Sequence, residues 1–99
     1  MNEVERNIHS ISNLCVHHAV DKLYLFGSAL TGGFNEKSDI DFVVRFKNME
    51  LLHYSDNYFD LKFSLEDLLN RPVDLLEEQC IKNPYFLESF NETKKLIYG

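Results

Sequence analysis

The chain has 99 residues, with 16 acidic against 10 basic side chains and a formal net charge of −6. That length allows one modest core, and 44% hydrophobic content with 13% aromatics excludes a disordered composition. The acidic balance argues against a protein that grips a nucleic-acid backbone directly, which needs a basic stripe. A phosphorylated ligand would then require a local device such as metal ions.

The opening MNEVERNIHSISNL has neither a basic start nor a continuous apolar run, so no secretory signal is read there. No apolar run approaches the roughly 18 residues of a membrane span. Cys15 and Cys80 stand outside any CxxC or metal-ligand spacing, which suits idle thiols in a reduced compartment. The expectation is a cytoplasmic protein with a single domain over residues 1–99.

In chain order, Val4, Ile8, Ile11, Leu14 or Cys15, and Ala19 recur at helical spacing and predict one amphipathic helix over 3–19. KLYLF, Lys22 to Phe26, is a short aromatic and branched run that predicts a strand. Gly27-Ser28 breaks it, Ala29 to Thr31 fits one helical turn before Gly32-Gly33, and Asn35 to Ser38 reads as a loop. Asp39 to Phe46 predicts the second strand, with Asp39, Asp41 and Val43 on one face and Ile40, Phe42 and Val44 towards the core.

A helical stripe of Tyr58, Leu61, Leu65, Leu68 and Leu69 predicts a helix from about Ser55 to Asn70, with Ser55, Asp56 or Asn57 available as N-cap. RPVDLL, Arg71 to Leu76, predicts a third strand opened by a proline. Asn83-Pro84 is a cap followed by a first-turn proline, so a last helix is expected from Pro84 to about Ile97. Its apolar residues lie on more than one side, and a partner surface there is as plausible as a closed core. This order gives an α/β (α+β) domain with a small mixed sheet flanked by helices.

Two aspartates on one strand face, Asp39 and Asp41, repel unless water or a cation intervenes. Asp74 lies opposite Val73 and Leu75 in its own strand and joins that face if the two strands are neighbours. Three carboxylates are hard oxygen ligands suited to Mg²⁺. Two such ions, about 3.5–4 Å apart, clamp the attacking and leaving oxygens of a phosphoryl-type displacement. Gly27 lets backbone approach a ligand, and the following amides with the Ser28 hydroxyl can meet phosphate. Each signal alone is weak; strand, Gly-Ser, DxD on a strand and a third Asp beyond one helix form a specific combination.

Gly27-Ser28, Asp39-x-Asp41 and Asp74, with LLNRPVDLLEE and KNPYFLESFNETKKLIYG, resemble the DNA polymerase β-like nucleotidyltransferase superfamily, most closely its minimal nucleotidyltransferase (MNT) branch. The resemblance covers nearly the whole chain. It implies the polymerase β-like fold, ATP as substrate, two Mg²⁺ ions and transfer of AMP to a hydroxyl. It further implies an antitoxin that modifies a tyrosine of a partner HEPN-domain toxin, in a hetero-oligomer with that toxin. By position, Asp39 and Asp41 would hold metal, Asp74 would be a third ligand and proton acceptor, and Gly27 and Ser28 would hold the triphosphate. The family often continues Gly-Ser with Arg-x-Arg-Gly, whereas this chain has Ala29-Leu30-Thr31-Gly32, so two charge-assisted phosphate contacts are absent. Two other readings stay open: a degenerate domain that neutralises its toxin by contact alone, and a homodimeric small-molecule nucleotidyltransferase.

Elsewhere, His9, His17, His18 and His53 form no helical metal pair and are expected to be solvated or partner-facing. Tyr54, Tyr58 and Phe59 are expected to pack the helix, with adenine stacking the lesser alternative, and Glu77-Glu78 to start a solvated helix.

Overall fold

The computed structural model describes residues 2–27 and 39–99. Its elements run α1 (Asn2–Arg6), α2 (Ile8–His17), β1 (Val20–Phe26), β2 (Ile40–Phe46), α3 (Leu51–Leu69), β3 (Val73–Glu77), a 3₁₀ turn (Glu78–Cys80), α4 (Pro84–Thr93) and β4 (Lys95–Tyr98). The described strands form one mixed sheet in the order β3-β2-β1-β4, with β1 antiparallel to β2 and β4, and β2 parallel to β3. Parallel neighbours need a crossover, and α3 supplies it.

The β2 alternation sorts the two faces. Ile40, Phe42, Val44 and Phe46 join Leu23 and Leu25 of β1, Val73 and Leu75 of β3, Ile11 and Cys15 of α2, and Leu61, Leu65 and Leu69 of α3 in the main core. Val43, on the opposite face, is also fully buried, against Tyr24 and Phe90. The Asp-bearing face is therefore covered along part of its length by α4. Phe90 meets Tyr24 edge-on at 5.4 Å and Phe26 at 5.7 Å, and Phe86 lies 5.2 Å from Phe26. Such aromatic pairs contribute about 0.5–1.5 kcal/mol each beyond their buried area.

The first helix is two. Asn7 adopts φ −106°, ψ 16° and its side chain donates to the Glu3 carbonyl at 2.7 Å, which separates α1 from α2. Ala19 takes a left-handed φ of 55° in the turn to β1 rather than a helical position. Arg71 grips Glu3 through two contacts, Nη2 to Oε1 at 2.8 Å and Nε to Oε2 at 2.7 Å, and so ties α1 to the segment entering β3.

Helix α3 starts four residues earlier than expected, at Leu51, behind a Glu50 whose side chain caps nothing. Ser55, Asp56 and Asn57 are interior residues. The helix ends at Asn70 in the left-handed conformation, φ 54°, where asparagine is tolerated. The last helix is shorter than expected. Asn83 accepts from the amides of Tyr85 and Phe86 as its N-cap, but the helix stops at Thr93, and Lys95–Tyr98 turns into β4 against β1. Much of the apolar surface expected of a long helix thus belongs to two elements: Phe86 and Phe90 close the second core layer, and Ile97 and Tyr98 pack on the main one.

His18 is buried, contrary to the solvated placement. Its Nδ1 donates to the Leu14 carbonyl, its Nε2 lies 2.6 Å from Asp60 Oδ2, and the Asn57 side chain donates to the His18 carbonyl at 2.7 Å. It fastens α2 to α3. Cys15 is buried and Cys80 exposed, and neither is in a disulfide. Among the described residues no helix is long and apolar enough to cross a membrane.

Candidate functional site

Strand register builds the centre of the site. Asp41 is the parallel partner of Asp74 across β2 and β3, and the antiparallel partner of Phe26 across β2 and β1. Neighbouring strands lie about 4.8 Å apart, so register partners put their side chains side by side on one face. Asp41 is half-buried and Asp74 exposed. Asp39 is exposed and stands just before β2 rather than within it.

Gly27 completes this centre from β1. Its φ is +79°, and a Cβ built there would lie 2.4 Å from Asp41 Oδ2. The backbone at the end of β1 therefore approaches the Asp41 carboxylate as only glycine permits. Ser28, Ala29 to Thr31, Gly32-Gly33 and the Asn35–Ser38 loop lie outside the described residues, so Gly27 is the part of the expected phosphate cradle that can be placed.

The donor set suits a hard divalent cation: carboxylate oxygens, two of them side by side, with the Cβ-free space of Gly27 beside Asp41. Among the described residues no three His, Cys, Asp or Glu side chains close into a metal-binding group. What the register builds is a carboxylate pair with a third carboxylate two residues upstream of Asp41.

Tyr58, expected from the sequence to pack the helix, lies beside the outer edge of β3. Burial pushes its phenol up, and the Asp74 carboxylate adds to that shift. Its hydroxyl donates to the Leu75 carbonyl, while Glu66 Oε2 accepts from the Val73 amide at 2.9 Å. Side chains of α3 thus cap the outer edge of β3 and blunt it against pairing with another strand. Tyr54 donates to Glu77, which closes β3 instead of opening a solvated helix, and burial followed by that hydrogen bond pushes the Tyr54 phenol well up. The i, i+4 spacing of Tyr54 and Tyr58 was visible, but it is equally the spacing of plain core packing.

Known proteins share this fold and sequence pattern. Residues 9–99 match the family model described as Polymerase beta, Nucleotidyltransferase. A Methanocaldococcus jannaschii protein, provisionally named as a protein adenylyltransferase, is 38% identical over 81 residues, 82% of this chain and 78% of the relative. A solved structure provisionally described as a minimal nucleotidyltransferase superposes with a TM-score of 0.77 at 27% identity, covering 96% of this chain and 95% of that one. A chain from the complex of a tri-AMPylated Shewanella oneidensis HEPN toxin with its MNT antitoxin shares the fold, with a TM-score of 0.66 at 20% identity, covering 96% of this chain and 71% of that one. The chain belongs to the polymerase β nucleotidyltransferase family, as a minimal nucleotidyltransferase domain.

Proposed function

We propose that this domain transfers AMP from ATP to a tyrosine hydroxyl of a partner HEPN toxin and so acts as its antitoxin, in the cytoplasm. The observation that carries this reading is the Asp41–Asp74 register pair with Gly27 packed against Asp41. The protein adenylyltransferase name of the M. jannaschii relative and the AMPylated toxin in the S. oneidensis complex support the substrate and the partner.

In this reading Asp39, Asp41 and Asp74 would hold two Mg²⁺ ions, which when bound supply charge neutralisation at the phosphates. Gly27 lets the backbone come close to the triphosphate, and Ser28 donates a hydroxyl to it. Asp74 accepts the proton of the acceptor hydroxyl. The acceptor oxygen forms a bond to the α-phosphorus, the bond to the bridging α–β oxygen breaks, and pyrophosphate leaves. Ala29 and Thr31, where the family often has arginines, favour a second reading in which a catalytically weak domain neutralises the toxin by binding alone.

The test is the intact mass of a HEPN protein encoded beside this chain after incubation with it, ATP and Mg²⁺. A gain of one or more AMP units is expected. A toxin that stays bound and unmodified at saturating ATP and Mg²⁺ would leave only the second reading.

A further inference from the structure

An open groove of about 390 Å³ runs along the outer edge of β3, walled by Tyr54, Tyr58 and Phe59 of α3, Leu76 and Glu77 of β3, and Cys80. Its apolar surface continues outward. Phe59 packs edge-on against Tyr58 at 5.1 Å and stacks on Phe63 at 6.0 Å, although Phe59 and Phe63 are 51% and 54% exposed. Leu76, 41% exposed, follows Asp74 by two residues and so lies on the same face of β3. An aromatic and aliphatic path thus leads from the outside of α3 to the carboxylate that the proposed reaction needs.

We propose that this groove and the Phe59–Phe63 ridge dock the acceptor protein through a basic segment with apolar side chains. The inference rests on the proposed transfer to a protein hydroxyl and names the surface that presents that hydroxyl to Asp74. Two observations select the occupant. Leu76, which walls the groove, lies on the Asp74 face of β3, so a segment lying in the groove is led towards that carboxylate. Its surroundings are net acidic: Asp56 and Asp67 flank the ridge at helical spacing from Phe59 and Phe63, Glu77 and Glu78 lie at the far end, and the Lys62 ammonium over the Phe63 ring at 5.4 Å is paired with Glu66 at 3.5 Å, on a chain of net charge −6. A second copy of this chain would bring the same acidic surroundings against it, whereas a basic partner is attracted. Capping of the β3 edge by Tyr58 and Glu66 directs the contact to side chains rather than to strand addition.

The experiment compares the wild type with Phe59→Ser/Phe63→Ser and with the conservative Phe59→Leu/Phe63→Leu, using the neighbouring HEPN protein as probe. Titration calorimetry at low and high salt, transfer kinetics, light scattering and the thermal shift with Mg²⁺-ATP are read together. The serine variant should lose about tenfold or more in toxin affinity, as truncated central aromatics do, and its KM for toxin should rise by a similar factor. Its kcat and Mg²⁺-ATP shift should stay as in the wild type, the leucine variant should recover most of the loss, and high salt should weaken wild-type binding. Wild-type binding that the serine variant loses, with no transfer in either, would sink the proposed reaction while upholding the docking surface. Unchanged toxin affinity in the serine variant overturns the docking surface, as does a wild-type dimer that the variant dissociates, or a toxin that does not bind at all.

Discussion

Gly27 and Asp41 approach so closely that a β-carbon on residue 27 would sit 2.4 Å from the carboxylate oxygen Oδ2. Gly27→Ala should therefore act twice. It forces an alanine to φ near +79°, a conformation costing about 1–2 kcal/mol, and it displaces the Asp41 carboxylate. In a domain of this size each kcal/mol lowers Tm by about 4–8 °C. The melting point should fall by an amount of that order, and the thermal shift with Mg²⁺-ATP should shrink more than the stability loss alone accounts for. An intact shift would mean that Asp41 does not depend on this contact.

Carboxylates that bind divalent ions only in the folded chain stabilise it by mass action. Mg²⁺ or Mn²⁺ with ATP should raise the wild-type melting temperature, and Asp39→Asn/Asp41→Asn should abolish the rise. An equal metal response in the double variant would remove Asp39 and Asp41 from the ligand set.

The pairing of Asp41 with Asp74 on neighbouring strands, with Gly27 at the end of β1, was readable because it rests on local signals: a glycine after an apolar run, aspartates two apart in the next run, and an aspartate inside RPVDLL. What failed was decided by distant partners or by missing cues. Lys95–Tyr98 continues an apolar pattern that suits a helix, and only pairing with Leu23, Tyr24 and Leu25 makes it a strand. The start of α3 offers no side-chain cap at Glu50, so nothing local marks it. His18 is polar and next to another histidine, and its burial depends on Asp60, 42 positions away. Val43 looked solvent-facing because the cover on that face comes from Phe90 of α4.

Burial of Cys15 makes a separate prediction about alkaline stability. Its thiol is pushed from the ordinary 9.0 up to about 12 by burial alone. Above 9.0 the unfolded chain releases a proton that the folded chain keeps until about 12. Raising pH through that window therefore favours unfolding, by up to about 1.4 kcal/mol per pH unit for a full proton. Cys15→Ala loses packing at every pH, so it should be less stable near neutrality. Its deficit should narrow as pH climbs from 9 towards 12. A constant deficit in denaturant titrations across the window would contradict the thiol's role.

Restoring the family's arginines tests the triphosphate position. Ala29→Arg and Thr31→Arg should each tighten ATP binding, since a charge-assisted hydrogen bond contributes about 1.5–3 kcal/mol. Calorimetric affinity for ATP with Mg²⁺ reads this directly. No change in either variant would mean that the triphosphate does not follow the Gly27-Ser28 turn.

On the proposed reading, Asp74 does chemistry at the site while toxin binding rests elsewhere. The most direct measurement pairs a pull-down with intact-mass analysis of the HEPN partner, for wild type and Asp74→Asn, under saturating ATP and Mg²⁺. A general base contributes about 10²–10⁴-fold, and loss of a metal ligand adds to that. Both proteins should retain the toxin, and only the wild type should add AMP to it. A wild type that binds the toxin and leaves its mass unchanged would rule out the transfer, and an Asp74→Asn variant that modifies it as fast as the wild type would rule out the role of Asp74.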